Sequence, residues 1–290
     1  MCGIGSAYRC PLMTDPLPPG LYVVATPIGN LGDLSPRAAD TLRQADRILA
    51  EDTRVTGKLL AHIGAEAPMR RYDDHTTEPE RQAIVDRLGN EAVALVSDAG
   101  TPLISDPGYK LVRAAREAGH EVRTVPGPCA VIAGLTVSGL PTNRFLFAGF
   151  LPPKAKARAD AIAEFATIRA TLVFFESGPR LAESLAALAS GLGDRDAAIA
   201  REITKLHEEC VSGKLGQLAS RYRDAPPKGE IVIVVGPPAD KAEASSDEID
   251  AALEEALASL SPSRAAADVA ERLGVPRKRA YARALELSRK

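Results

Sequence analysis

The stretch Val96-Ser97-Asp98-Ala99-Gly100-Thr101-Pro102-Leu103-Ile104-Ser105-Asp106-Pro107-Gly108 constrains the fold more than any other part of the chain. It follows an apolar run, Ala92–Val96, which reads as a buried strand of a parallel sheet. Residues 109–116 after it have helical spacing. A strand, a loop rich in Gly, Pro, Ser and Asp, and then a helix is the place where open α/β sheets bind ligands. The loop exceeds the roughly 2–6 residues usual for such a turn. Glycines and prolines give it a defined path and allow a ligand close to the backbone. On composition alone it also reads as a purely structural turn.

At 290 residues, two domains are the expectation. The hydrophobic fraction of 45% supplies ample core. No apolar run approaches the roughly 18–20 residues of a membrane span, so no membrane partner is expected. Cys2, Cys10, Cys129 and Cys210 are scattered without a CxxC pair, which favours a reduced cytoplasm and no zinc site. His62, His75, His120 and His207 show no ligand spacing, so no metal is expected. The net charge of -2 argues against a generally basic nucleic-acid binder, but it averages over a strong local asymmetry near the C-terminus.

Residues 1–19 carry four prolines and read as a disordered extension, with Met13 a candidate start. Residues 21–26 are a first strand. The loop Pro27-Ile28-Gly29-Asn30-Leu31-Gly32-Asp33-Leu34 follows, and Ser35-Pro36 opens a helix. The loop lacks G-x-G-x-x-G, so no dinucleotide fingerprint is present. Residues 47–50 form a second strand that runs into Glu51-Asp52-Thr53-Arg54. That polar set is either functional or a helix cap with a solvated arginine. Residues 121–125 form a strand ending in Pro126-Gly127-Pro128-Cys129-Ala130, before a helix of small residues. Strand and helix alternate throughout, which predicts a mainly parallel sheet.

Gly139-Leu140-Pro141-Thr142-Asn143 breaks the pattern and sets a boundary between an α/β domain at 20–139 and a second at 140–238. The second domain opens with the stretch at 144–150 and has strands at 171–175, 197–200 and 230–235. A basic loop, Pro152-Pro153-Lys154-Ala155-Lys156-Ala157-Arg158, follows the opening stretch and is either a phosphate contact or simply solvated. Residues 239–290 begin with an acidic linker through Glu255. They end in two short helices, the first capped by Ser263, joined at Gly274-Val275-Pro276. The second helix is basic, so the pair reads either as a helix-turn-helix that binds RNA or as a small closing bundle. Arg264, Arg277, Lys278, Arg279 and Arg283 are the candidate RNA contacts.

Six motifs now stand in order. They are residues 26–35, Glu51-Asp52-Thr53-Arg54, residues 96–108, Val125-Pro126-Gly127-Pro128, Arg201-Glu202-Ile203-Thr204-Lys205, and Lys228-Gly229-Glu230-Ile231-Val232. Together they resemble the small-subunit rRNA methyltransferases of the tetrapyrrole methylase superfamily, over residues 21–235, and the basic tail resembles that family's helical domain. The resemblance implies two α/β domains with S-adenosylmethionine in the cleft between them, and a homodimer. It implies 2'-O-methylation of a cytidine in the decoding region of 16S rRNA within the small ribosomal subunit. Carried over by residue, the cofactor would meet Pro27, Gly29, Asp98, Gly100, Pro102, Ile104 and Ser105. It would also meet Cys129, Ala130, Glu176, Ser177, Glu230 and Ile231. This chain departs from the family in having Cys129 in place of Ser, and Gly178-Pro179 in place of Pro-His. Alternatives on the same fold are methylation of a tetrapyrrole carbon and a non-catalytic RNA-binding assembly protein.

A sulfonium methyl is already activated, so in-line positioning of the ribose hydroxyl carries much of the catalysis. The hydroxyl also needs its proton removed or its charge stabilised. Asp52 is the first candidate for that role, with Glu202 in reserve. Arg54 and Lys205 are candidates to hold phosphate or stabilise the oxyanion.

Overall fold

The computed structural model describes residues 16–239 and 245–288. Cys2, Cys10, Met13 and most of the expected N-terminal extension lie outside these residues, as does 240–244 of the acidic stretch.

The first sheet is built from β1 (Gly20–Val24), β2 (Arg47–Ala50), β3 (Met69–Arg71), β4 (Ala92–Val96) and β5 (Val122–Val125). The spatial order is β3-β2-β4-β1-β5, and every pairing is parallel. Central β4 is buried at all five positions because helices cover both faces. Tyr22, Val24, Ile48, Ala50 and Ala94 point to one face, against Leu42 of α1 (Pro36–Gln44) and Leu59 and Leu60 of α2 (Thr53–Ile63). Leu21, Leu49, Val93 and Leu95 point to the other, against Ile84 of α3 (Glu78–Val85) and Leu111 of α4 (Tyr109–Glu117). Local chemistry sets the helix starts. Ser35 accepts from the Ala38 amide at 3.1 Å with Pro36 at the first helical position. Thr77 and Glu80 form a capping box on α3.

The second half comprises α5 (Ala130–Val137), β6 (Phe145–Phe150), α6 (Ala155–Phe165), β7 (Thr171–Ser177), α7 (Leu181–Leu192), β8 (Asp196–Arg201), β9 (Glu209–Lys214), α8 (Leu215–Arg223) and β10 (Glu230–Val235). Its sheet runs β6-β7-β10-β8-β9, with β6 parallel to β7 and the other pairs antiparallel. The antiparallel edge strand β9 was not among the expected strands. Half-buried and exposed side chains alternate along it, and it lends only Val211 to the core, so no apolar run marks it.

The expected division at 139/140 does not match the packing. Helix α5 lies on the second sheet, with Val131 and Leu135 against Val173, Val232 and Val234. Gly134 allows the close approach, since a Cβ there would sit 2.7 Å from Val232 Cγ1. Both sheets form one compact unit ending at Gly236.

The second unit begins at Pro237. It contains α9 (Ser246–Leu257), α10 (Pro262–Leu273) and α11 (Arg277–Leu287). The acidic stretch expected to be a linker is largely helical. Ile249, Ala252, Leu253 and Ala256 recur at helical spacing and are buried against Ala265, Val269 and Ala280. Its surface acids hide that stripe in a charge count. Ser261, not Ser263, is the N-cap of α10. Gly274 closes α10 in the left-handed region. Among the described residues, no helix is long and apolar enough to cross a membrane.

Candidate active site

Residues from both sheets and the loops after their strands line a cavity of about 380 Å³. The long loop after β4 forms one wall and is tied down on both sides. Thr26 and Gly100 exchange backbone hydrogen bonds of 2.9 and 3.1 Å, and Thr101 Oγ1 donates to the Pro128 carbonyl at 3.0 Å. Leu103 and Ser105 hold left-handed backbone at φ 75° and 63°. Strain of this kind in non-glycine residues persists only where surrounding contacts enforce it, and it clusters at binding sites.

Of the residues expected at the cofactor, Asp98, Gly100, Ile104, Ser105, Cys129, Ala130, Glu176, Ser177, Glu230 and Ile231 line this cavity. Pro27, Gly29 and Pro102 do not. Ile28, between the first two, takes the lining position. Gly29 instead receives the stem of Lys205, whose Cγ lies 2.4 Å from where a Cβ would be. Pro102 is buried beneath its loop. Sequence reasoning also missed Glu51, Asp106, Phe150, Phe175 and Ile203, all of which line the cavity.

Asp52, the first candidate for the base, is not among the residues lining the cavity. It is the N-cap of α2, accepting from the Arg54 amide at 2.8 Å. The Arg54 guanidinium closes on the same carboxylate, with Nη2 to Oδ2 at 2.6 Å. Hydrogen bonds from the Arg54 side chain and backbone hold this carboxyl well below the usual carboxylate range. Glu51 is the carboxylate that lines the cavity, and its pKa is raised by burial, with nearby Asp106 and Asp98 adding to the shift. Asp106 is also raised, chiefly by burial. The two strand ends are laced together, as the Asp52 amide donates to Asp98 Oδ1 at 3.0 Å.

Glu202, Lys205 and Glu230 form a closed ionic group. Lys205 Nζ donates to Glu202 Oε1 at 3.0 Å and to Glu230 Oε2 at 2.9 Å. Burial pulls the Lys205 pKa down, but the two carboxylates outweigh it and leave it raised. Hydrogen bonding from Lys205 lowers Glu202. Glu202 and Thr204 adopt positive φ of 49° and 67°, and Ile203 between them reaches the cavity. Glu176 is buried, and its carboxylate is saturated. The Ser177 amide donates to it at 2.8 Å and Ser184 Oγ at 2.5 Å, with Arg180 3.6 Å away.

In the C-terminal unit, Arg264, Arg277, Lys278 and Arg279 are exposed. Arg283, the remaining candidate, is engaged within the unit. Its guanidinium bridges Asp250 of α9 at 2.5 and 2.6 Å and also bonds Glu286, so it clamps the helices together.

Residues 20–219 match the family model described as Tetrapyrrole (Corrin/Porphyrin) Methylases, and residues 243–288 match the RsmI C-terminal HTH domain. The chain is 57% identical over 275 residues to a ribosomal RNA small subunit methyltransferase I of Erythrobacter litoralis, covering 94% of this chain and 97% of that one. It is 48% identical over 275 residues to the protein of that name from Mesorhizobium japonicum, covering 94% and 93%. Among solved structures it is similar to a diphthine synthase, with TM-score 0.58 and 15% identity over 74% of this chain and 89% of that one. It is also similar to the uroporphyrin-III C-methyl transferase of Thermus thermophilus complexed with S-adenyl homocysteine. There the TM-score is 0.51 and the identity 21%, covering 75% and 97%.

Proposed function

The chain belongs to the tetrapyrrole methylase family, and within it we propose an S-adenosylmethionine-dependent enzyme that methylates the 2'-hydroxyl of a cytidine in the decoding region of 16S rRNA. The observation that carries this reading is identity above half, across nearly the whole of both chains, to a protein named as a small-subunit rRNA methyltransferase.

The cavity suits the cofactor. Its volume falls in the range of small-molecule pockets, about 300–1,000 Å³. Glu51, Asp98, Asp106, Glu176 and Glu230 line it, and none of the described residues lining it is Lys or Arg. That charge pattern favours a ligand bearing a sulfonium and an ammonium group. Asp98, Gly100, Cys129, Ala130, Ser177 and Ile231 are the proposed walls. The bound cofactor supplies an electrophilic methyl group.

The protein's own contribution is to place a ribose hydroxyl in line and to take its proton. Glu51 is the proposed base, since it lines the cavity and its raised pKa improves it as a proton acceptor. Lys205 is a proposed positioning residue that holds Glu230 on the cavity wall; its charge is already answered by two carboxylates. Arg54, largely exposed beyond its bond to Asp52, is a proposed phosphate contact. Arg264, Arg277, Lys278 and Arg279 are proposed RNA contacts. Exposed Ile132 and Val137 on α5 offer apolar surface for the proposed homodimer, tested by light scattering in solution.

The test is transfer of tritiated methyl from S-adenosylmethionine to small ribosomal subunits from cells lacking the endogenous activity. Label on a ribose of 16S rRNA supports the reading. Unlabelled subunits and rRNA, with cofactor still bound, would overturn it in favour of tetrapyrrole methylation or a non-catalytic role.

A further inference from the structure

Strict alternation along β6 would put Phe147 and Phe150 on opposite faces of the sheet, because they are three residues apart. They share a face instead. Phe147 pairs with Val173 and Phe150 with Phe175, so three steps on β6 match two on β7. The extra residue is a β-bulge, and Gly149 within it has φ 66°, a backbone that suits glycine. Bulges next to active sites re-aim side chains. Here the result is an aromatic cluster. Phe147 and Phe150 both pack edge-to-face on Phe175, at 4.8 Å and 62° and at 5.6 Å and 61°.

Phe150 is 57% exposed, yet it lines the cavity. The long loop presents Ile104, also an exposed apolar side chain on the cavity wall. The bulge lies close to that loop, since a Cβ on Gly149 would sit 3.4 Å from Ser105 Oγ. The segment beyond the ring is held, with Arg180 Nη2 donating to the Leu151 carbonyl at 2.6 Å. A large aromatic ring is thus fixed in place with much of its surface uncovered.

We infer that Phe150 is a stacking platform for an unpaired base of the RNA substrate, seated at the mouth of the cavity. The inference rests on the rRNA reading above and names a residue that receives the substrate. Single-stranded RNA is recognised by splayed bases stacked on aromatic rings. Surrounding charge separates this occupant from the adenine of the cofactor. Lys154 and Lys156 are exposed four and six residues beyond Phe150. They complement phosphates, which RNA has and S-adenosylmethionine lacks. Of the described carboxylates on the cavity wall, Glu176 is held by Ser177 and Ser184 and Glu230 by Lys205, which leaves Glu51, Asp98 and Asp106 to suit a cationic cofactor.

The test uses the full-length protein with Phe150→Leu and Phe150→Tyr. Stacking on one aromatic contributes enough that Phe150→Leu should raise KM for small subunits by roughly 5- to 100-fold. Affinity for S-adenosylhomocysteine should stay within twofold, and Phe150→Tyr should restore KM. A short single-stranded RNA carrying 2-aminopurine should show quenched fluorescence on binding the native protein and lose that quenching with Phe150→Leu. Equal losses of cofactor and RNA affinity would assign the ring to the cofactor and overturn the inference. Unchanged KM and unchanged quenching would also overturn it. Absence of methyl transfer by the native protein, with 2-aminopurine quenching intact, would refute the enzymatic reading while leaving the stacking site standing.

Discussion

Gly178 offers the sharpest test of how the cavity wall is built. It begins the turn after β7, at the position where the resemblance leads one to expect proline. A Cβ there would lie 1.6 Å from the Pro227 carbonyl oxygen and 2.8 Å from its carbon. Contact distances for carbon are about 3.5 Å, so in Gly178→Ala the backbone at Pro227 must retreat by roughly 1.5–2 Å. The obstacle is main chain, which cannot swing aside as a long side chain does. Two prolines in a row, Pro226 and Pro227, have fixed φ, so the displacement passes along the segment. It reaches Gly229 and Glu230, which line the cavity, and strains the 3.1 Å bond from Arg201 Nη1 to the Lys228 carbonyl.

Overpacking of this kind costs about 1–3 kcal/mol. In a unit of this size that corresponds to a Tm lowered by roughly 2–10 °C. Misplacement by about 1 Å at a reacting centre costs on the order of 100-fold in rate, so single-turnover transfer should fall by about that factor. Calorimetric titration with S-adenosylhomocysteine should show affinity at least about tenfold weaker. Gly57→Ala is the control. It lies within α2, and its new Cβ would meet Met69 Cε at an ordinary 3.6 Å. It should stabilise by up to about 1 kcal/mol, the helix preference of alanine over glycine. A Gly178→Ala protein with native Tm and native cofactor affinity would refute the idea that Pro227 fixes this wall.

Glu51→Gln should lower single-turnover transfer by about 10²–10⁴-fold while cofactor affinity stays within tenfold, measured by quench-flow and calorimetry. Because the folded protein raises the Glu51 pKa, its ionisation opposes folding at high pH, and that penalty fades as pH falls through the raised value. Glu51→Gln should therefore melt above the native protein at pH 8, with the gap closing below the ordinary carboxylate range. Cys129 is the N-cap of α5 but makes no side-chain capping bond. Cys129→Ser should add about 0.5–1 kcal/mol in urea unfolding. Arg277→Ala and Lys278→Ala should each reduce the salt slope of RNA binding by about one in filter-binding titrations, with Tm unchanged. Arg283→Ala should instead lower the melting temperature of the C-terminal unit, because its partners are Asp250 and Glu286 rather than phosphate.

Parts of this molecule were legible because they require particular residues. A strand covered on both faces must be apolar throughout, as Ala92–Val96 is. A helix entered through Ser35-Pro36 needs an oxygen acceptor and tolerates a missing amide hydrogen. Other parts were hidden because their determinants are not local. Edge strand β9 leaves alternate side chains exposed and so carries no apolar signature. Helix α9 was masked by acids on its outer face. The bulge at Gly149 changes the parity of β6, so the sequence spacing of Phe147 and Phe150 points them in opposite directions while the fold does not.

Glu51 and Asp52 are neighbours in sequence, and their division of labour follows from where α2 begins. The first amides of a helix need an acceptor, and a short carboxylate one residue ahead of the helix is suited to supply it. Asp52 meets that need and is then gripped by Arg54, so it stays ionised and has little affinity for a proton. Glu51, one residue earlier, is left near Asp98 and Asp106 on the cavity wall, where burial raises its pKa and like charge adds to the shift. Neighbouring carboxyls pushed apart in this way take different roles. Removing Arg54 separates the two ideas. In Arg54→Ala the Asp52 pKa rises, but its carboxylate remains the cap of α2. At saturating RNA, transfer should persist in Arg54→Ala and collapse in Glu51→Gln. The reverse order would return the role of base to Asp52.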